Sequence, residues 1–259
     1  MLCNAPLEVP VRKYVIWPGL LILAVSLLGS GTSVAQGLTP HSAEYKVKIS
    51  VLSGRLHTRL AATETGYEAT HSIVPTGFAR MFSKGRIEEF SGFDETDGGV
   101  LPVRYRSSDT LSKHKTQADV EFDWSEGAIV GTINNADFNN AIDSVVHDRV
   151  SIQYELMHDL MNGGTSGTYV LFDIDEFKTL NVSVIGNRKI KTPAGRFDAV
   201  GVQHQAEGSS RVTTLWCVEE LGYLPVLIEQ HRKGKLKMRA SLTDYVPAPV
   251  QSGQQDRQL

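Results

Sequence analysis

The stretch Ala43-Glu44-Tyr45-Lys46-Val47-Lys48-Ile49-Ser50-Val51 decides the fold class of this chain. Apolar and polar residues alternate in it almost without exception. A period of two residues places alternate side chains on opposite faces of a β-strand, so that one face is buried and the other is solvated. We therefore predict a strand whose buried side chains are Tyr45, Val47, Ile49 and Val51.

Similar segments recur along the whole chain. Turn residues such as Ser53-Gly54, Asp97-Gly98-Gly99 and Lys233-Gly234 separate them, at intervals of roughly 8–12 residues. The predicted strands are 43–51, 56–63, 67–74, 85–93, 101–109, 116–124, 128–133, 168–172, 180–190, 197–205, 211–218, 224–232 and 236–245. About 13 short strands with this spacing are typical of a sandwich, a barrel or a curled sheet.

A different pattern appears between residues 148 and 161. Gly163-Gly164 ends a run in which apolar side chains recur at a helical period. These side chains are Val150, Tyr154, Met157, Leu160 and Met161. We predict one α-helix at Asp148–Met161, with Asp148 as its N-cap, or with an earlier start at Asp143-Ser144.

The segment 77–83 also breaks the alternation of the strands. It is compact enough for one helical turn, which would place Phe78, Met81 and Phe82 on a single face. Together these patterns predict a mainly β protein with an antiparallel, strongly curved sheet or a partly open β-barrel. One α-helix is expected to pack on the sheet or inside it.

The first residues have the layout of a secretory signal. Arg12 and Lys13 precede an uncharged run at 14–28, and Ser33-Val34-Ala35 supplies small residues at the positions that a signal peptidase reads. We therefore predict a signal peptide at residues 1–35, cleavage after Ala35 and a periplasmic mature protein.

The remaining chain is expected to form one β-rich domain at residues 36–246, followed by a disordered tail at 247–259 that is rich in Pro, Gln, Ser and Gly. No further apolar stretch approaches the length that spans a membrane, so the mature chain is not expected to cross one. The formal net charge is −3 and no run of basic residues occurs, so nucleic acid is not an expected partner.

No catalytic motif is found in the sequence. Gly-x-Ser-x-Gly, a phosphate-binding loop and a dinucleotide fingerprint are all absent. The histidines are scattered, without the close His or Cys pairs that zinc sites use, so no metal or other cofactor is expected. Asp173-Ile174-Asp175-Glu176 lacks the glycine of a calcium loop and is expected to be a hairpin tip. We therefore expect a protein that is not an enzyme.

One group of polar residues on the predicted helix has two interpretations. Arg149, Gln153 and Tyr154 could reach into a concave sheet and bind a polar head group. Alternatively they could attach the helix to the sheet by hydrogen bonds, because buried polar groups need partners. We favour the second interpretation.

Several phrases taken together resemble the bacterial exported-protein family called domain of unknown function 3108. They are residues 77–83 with 86–89, 101–105, 120–124, 148–154, 191–197, and 215–218 with 224–230. The resemblance extends over nearly all of residues 41–245. It implies a periplasmic, mostly antiparallel β protein, and it implies no activity and no catalytic residues.

The leading hypothesis is a non-enzymatic periplasmic protein that binds a lipid or another apolar ligand of the Gram-negative envelope in a β cavity. The candidate ligand-binding residues are Phe78, Met81, Phe82, Arg149, Tyr154 and Met157. The apolar members of this set could instead be ordinary core residues. Two alternative functions stay open: an assembly or structural factor that contacts envelope proteins, and an uncharacterised envelope enzyme.

Overall fold

The computed structural model describes residues 37–82 and 84–248, in which fifteen strands, one α-helix and two short 3₁₀ helices are found. The 3₁₀ helices are Gly77–Met81 and Glu219–Leu221, and the α-helix is α1, Ser151–Met161. The strands are β1 His41–Ile49, β2 Leu52–Ala62, β3 Tyr67–Thr76, β4 Ile87–Thr96, β5 Gly99–Asp109, β6 Thr116–Asp123, β7 Ala128–Ile133, β8 Ala136–Ala141, β9 Val146–Asp148, β10 Ser166–Asp173, β11 Glu176–Thr192, β12 Gly195–Ala206, β13 Arg211–Val218, β14 Leu224–Arg232 and β15 Lys235–Pro247.

All these strands belong to one sheet, in the order β8-β7-β6-β5-β4-β3-β2-β1-β15-β14-β13-β12-β11-β10-β9. Neighbours are antiparallel except for β9 and β10, which are parallel. The pairing of β1 with β15 joins two consecutive meanders, and Tyr45 of β1 lies opposite Leu56 on one side and Leu242 on the other. Because most neighbours are joined by short hairpins, successive turns lie at alternate ends of the strands.

The sheet curls until its β9–β10 edge packs over strands β4–β8. The Ser91 hydroxyl on β4 donates to the Asp148 carboxylate on β9 at 2.6 Å. Phe172 on β10 meets Tyr105 and Phe122 edge-on, with ring centroids 6.3 Å apart in each pair, and lies 5.6 Å from the Phe138 ring. The strongly curved, barrel-like antiparallel sheet predicted from the sequence is therefore confirmed.

Helix α1 packs inside this curl and is buried on two sides. Tyr154 and Met157 face one cluster of buried residues, which spans β1–β7 and β9–β15. Leu156 and Leu160 face a second cluster, which is built on β10–β13. The single predicted helix is thus present, and it fills the concave side of the sheet.

The helix begins three residues later than its pattern predicts. Val146 and Asp148 belong to β9, because their backbones pair with Val170 and Phe172 of β10. The N-cap is Val150, so the prediction that Asp148 is the N-cap is wrong. The Asp148 carboxylate still accepts hydrogen bonds from the backbone N–H groups of Val150 and of Ser151, the first helical residue, at 2.8 and 2.9 Å.

The predicted burial of alternate side chains in the first strand is correct only for the first two of them. Tyr45 and Val47 are buried, but Ile49 is 53% exposed and Val51 is 92% exposed. Strand β1 ends at Ile49, and Val51 lies in the turn to β2. The alternation therefore continues in the sequence beyond the point where the core ends, and the prediction that Ile49 and Val51 are buried is wrong.

The predicted signal peptide lies outside the described residues, as does the predicted tail from residue 249 onward. Pro247 is the last residue of β15. Within residues 37–82 and 84–248, no helix has the length and the apolar character that crossing a membrane requires.

Candidate functional site

Five of the six candidate ligand-binding residues fall into two separate places, and Arg149 lies in a third. Phe78, Met81 and Phe82 lie on and just after the 3₁₀ helix and are exposed by 68, 77 and 69%. Tyr154 and Met157 are buried under α1, at 0 and 2% exposure. The fold does not bring the two groups into one cavity.

The interior near Tyr154 is closed by aromatic packing. The Tyr154 ring stacks on Phe93 with centroids 5.3 Å apart, and the rings of His41 and His71 lie 6.4 Å away on tilted planes. Met157 is buried in the same cluster. Both helix residues therefore act as core residues here, which was the alternative interpretation of them.

Polar atoms in this part of the core lack partners. The Tyr154 hydroxyl, the Thr58 hydroxyl and the Nε2 atoms of His41 and His71 are buried and make no hydrogen bond within the described part of the chain. Burial lowers the pKa of His71 to about 4 and also lowers that of His41, so both rings are neutral near pH 7. Because His41 Nδ1 lies 2.8 Å from the Thr39 carbonyl, that nitrogen carries the proton and Nε2 is an acceptor.

Arg149 connects three elements at the closing edge of the sheet. Its Nε lies 2.5 Å from Asp173 Oδ1 on β10, and its Nη1 lies 3.3 Å from Glu89 Oε1 on β4. Lys178 also binds Asp173, and the Tyr105 hydroxyl donates to Glu89 at 2.8 Å. Burial alone would raise the pKa of Asp173, but Lys178 and Arg149 lower it below its usual value. The geometry fits attachment of the helix to the sheet.

Two buried carboxylates were not identified as a pair from the sequence. Asp148 is fully buried, and burial raises its pKa to about 6 against the hydrogen bonds from Ser91 and Ser151. Glu155 accepts the backbone N–H of Val100 at 2.6 Å, and burial raises its pKa to about 7. Both groups are occupied by hydrogen bonds that hold α1 and β9 on the sheet. The only local sign in the sequence that Glu155 is buried is its position among the apolar residues of the helix.

Among the described residues, six exposed apolar side chains lie at one end of the sheet. They belong to two neighbouring segments, the β1–β2 turn and the 3₁₀ helix with the residue that follows it. We call this group the apolar tip: Ile49, Val51, Leu52, Phe78, Met81 and Phe82. Ser53 pairs with Thr76, which places the turn beside the start of the 3₁₀ helix. The rings of Phe78 and Phe82 meet edge-on at 4.9 Å. Single exposed apolar residues are ordinary, whereas a contiguous group marks a binding surface.

Basic residues surround the apolar tip. We call the following exposed residues the basic rim: Lys48, Arg80, Lys84, Lys113, Lys115, Lys233, Lys235 and Lys237. Two hydrogen bonds hold the β5–β6 turn beside the segment that follows the 3₁₀ helix: the N–H of Thr110 donates to Arg86 O, and the N–H of Arg86 donates to the Thr110 hydroxyl. On the other side, Met238 of β15 lies opposite Ile49, which brings the start of β15 next to the tip. Among the described residues, no member of the rim forms an ion pair.

The turns at the opposite end of the sheet carry acidic side chains. Its described turns are 63–66, 97–98, 124–127, 142–145, 162–165, 193–194 and 219–223, and none of them contains lysine or arginine. They do contain six exposed acidic residues: Glu64, Asp97, Glu126, Asp143, Glu219 and Glu220. The end with the apolar tip also contains two acidic residues in the turns of β10–β13, namely Asp175 and Glu207. The charges of the turns therefore differ between the two ends, although β11 and β12 add exposed basic residues beside turn 193–194: Arg188, Lys189, Lys191 and Arg196.

Open grooves elsewhere are mixed in character. The groove at the C-terminus of α1 has a volume of about 370 Å³, with Leu160, Val184 and Tyr223 among its apolar walls and Glu219 and Glu220 among its polar ones. Cys217 lies in its floor but is buried, and burial raises the pKa of its thiol. No ion-binding geometry accompanies the two acids within the described part of the chain.

Comparison with known proteins places the chain in a family and a fold. The model of a family described as Protein of unknown function (DUF3108) matches residues 42–241. No curated protein matches. A crystal structure of a beta-barrel-like protein of domain of unknown function DUF1849 from Brucella abortus is similar, with a TM-score of 0.60 and 14% sequence identity. That similarity covers 83% of this chain and 100% of that one, and it shows the fold alone.

Proposed function

This chain belongs to the DUF3108 family of proteins of unknown function, and we propose that it is a non-enzymatic, exported protein that binds lipid at its apolar tip. The lipid contacts the end of the sheet and does not enter a cavity under it. The reason is that α1 and its aromatic neighbours occupy the concave side, where Tyr154 is fully buried.

The exposure of the tip is the observation that carries this proposal. Val51, Phe78, Met81 and Phe82 each expose more than two thirds of their surface, although the chain has a large core available to it. Complete burial of such a side chain is worth roughly 1.5–3 kcal/mol. Leaving several of them together in water is a cost that a lipid contact would remove.

The exported location rests on the sequence and on the family resemblance. The basic residues Arg12 and Lys13, the uncharged run behind them and Ser33-Val34-Ala35 support secretion with cleavage after Ala35. In the periplasm of a Gram-negative cell, both enclosing membranes present lipid to such a tip. The non-enzymatic role is supported by Asp148 and Glu155, whose carboxylates are taken up by internal hydrogen bonds.

Photo-cross-linking in living cells tests the proposal. A benzoylphenylalanine is placed at Phe82 of the full chain, and a matched control carries it at Glu126, which is exposed at the opposite end of the sheet. We expect mass spectrometry to find lipid adducts at position 82 and none at position 126. Equal lipid adducts at both positions, or adducts to protein alone at position 82, would contradict lipid binding at the tip.

A further inference from the structure

We propose that the apolar tip and the basic rim together dock the protein on the surface of a bilayer that contains anionic lipid. The inference rests on the proposed function and adds to it the charge of the lipid and the orientation of the protein. The tip enters the interface, the basic side chains around it contact phosphate groups, and the end of the sheet with the acidic turns points away from the membrane.

Charge complementarity selects the anionic surface. The chain as a whole is weakly acidic, with a formal net charge of −3, so attraction to an anionic membrane must come from a local group of cations. The basic rim is such a group, because its exposed side chains lie beside the tip and have no ion-pair partners among the described residues. A membrane surface potential acts within about one Debye length, roughly 8–10 Å, so the rim experiences it while the opposite end does not.

The same charges disfavour a second copy of the chain as the occupant of the tip. Two tips in contact would bring two basic rims together, and like charges at close distance repel. A lipid surface offers the opposite arrangement, with hydrocarbon for the apolar side chains and phosphate at the level of the lysines. The rim therefore argues for a bilayer rather than a symmetric dimer.

The backbone of the tip is suited to shallow insertion. The Phe82 N–H donates to Ala79 O at 3.1 Å, and the neighbouring turn is tied by the paired bonds between Arg86 and Thr110. Gly85 allows this close approach, since an added Cβ would clash with the Thr110 carbonyl. Side chains on such a short, tied segment reach the boundary between head groups and acyl chains, about 5–10 Å deep. Lys84 and Arg80 limit the depth, because their charges stay with the head groups.

Vesicle binding of the mature chain, residues 36–259, tests the charge. Sedimentation is compared with vesicles of phosphatidylcholine alone and of phosphatidylcholine mixed with phosphatidylglycerol, at low and at high salt. We expect binding to the mixed vesicles that weakens with salt, and a loss of about five-fold in the partition coefficient for each of Lys84→Gln and Lys113→Gln. Lys191→Gln, on β11 away from the tip, is the matched control and should change nothing.

A nitroxide label tests the orientation in the same samples. Val51→Cys places it at the tip and Glu64→Cys places it at the opposite end. Cys217 stays unlabelled, because it is buried and its thiol pKa is raised. We expect membrane-dissolved oxygen to relax the label at 51, while the label at 64 stays accessible to an aqueous relaxant.

The outcomes separate the two proposals. Equal binding to both vesicle types, no effect of Lys84→Gln, or a buried label at 64 would overturn the anionic docking and its orientation, while lipid adducts at position 82 in cells would still support the proposed function. Absence of those adducts would overturn both. Unchanged urea unfolding midpoints of the variants establish that they are folded.

Discussion

Replacing Asp148 with asparagine should change the stability of the protein in a pH-dependent way. Compared with the unchanged protein at the same pH, the variant should gain stability as the pH rises from acidic to neutral. The Asp148 carboxylate is fully buried and accepts three hydrogen bonds, from the Ser91 hydroxyl and from the N–H groups of Val150 and Ser151. The asparagine oxygen can keep both backbone bonds, and its amide can donate to Ser91 once that hydroxyl turns round. The substitution therefore removes the charge and keeps the shape.

The magnitude follows from the pKa. Burial raises the pKa of Asp148 from 3.8 to about 6, so the folded protein holds this proton more tightly than the unfolded chain does. This tighter proton binding stabilises the folded state fully when the pH is below 3.8, the pKa of Asp148 in the unfolded chain. The stabilisation is lost as the pH rises through about 6, the pKa in the folded protein. The whole difference is worth about 3 kcal/mol, and the part lost between about pH 4.5 and about pH 7.5 is about 2 kcal/mol. No reduction for solvent screening applies, since the side chain is completely covered.

Urea unfolding of Asp148→Asn and the unchanged protein at those two pH values measures the effect. The unfolding free energy of the variant minus that of the unchanged protein should increase by about 2 kcal/mol between the lower and the higher pH. Asp143→Asn, in the exposed turn before β9, is the matched control and should leave the free energy nearly unchanged at both values. A difference that is the same at both pH values would refute a buried, ionising carboxylate at position 148.

Three further results are expected. Tyr154→Phe removes a buried hydroxyl that has no partner among the described residues, so thermal unfolding should show a gain of up to about 1 kcal/mol, and a clear loss would reveal a partner. Arg149→Met should cost about 1–2 kcal/mol, because Asp173 keeps only Lys178 and Glu89 loses its cation. If Arg149→Met instead abolishes vesicle binding and leaves the stability unchanged, Arg149 binds a lipid head group. N-terminal sequencing of the protein from the periplasm should begin at residue 36, and an intact terminus in the cytoplasm would contradict export.

The strands could be predicted because their signal is local. Thirteen segments of alternating residues all correspond to strands, since a period of two reports directly on which side chains are half-buried. The two strands that were missed lack that signal. β8 is polar and exposed along nearly all its length, and β9 has only three residues.

The site was harder to predict, because exposure depends on which segments meet. The spacing of Phe78, Met81 and Phe82 indicated one apolar face, but it could not show whether another element covers that face. Within the described part of the chain that face stays exposed, and the pairing of β2 with β3 places it beside the β1–β2 turn. The basic rim joins four turns that are far apart in sequence, so no single window of residues reveals it.

The sequence by itself determined the mainly β character, the single helix and the family, because backbone periodicity and turn residues act over a few neighbours. Tertiary structure alone decided three other features. The curl of the sheet buries Asp148 against Ser91, the helix occupies the concave side, and among residues 37–82 and 84–248 the apolar tip stays exposed at one end. Each of these depends on contacts between residues dozens of positions apart, and their energies are set only when the strands have paired.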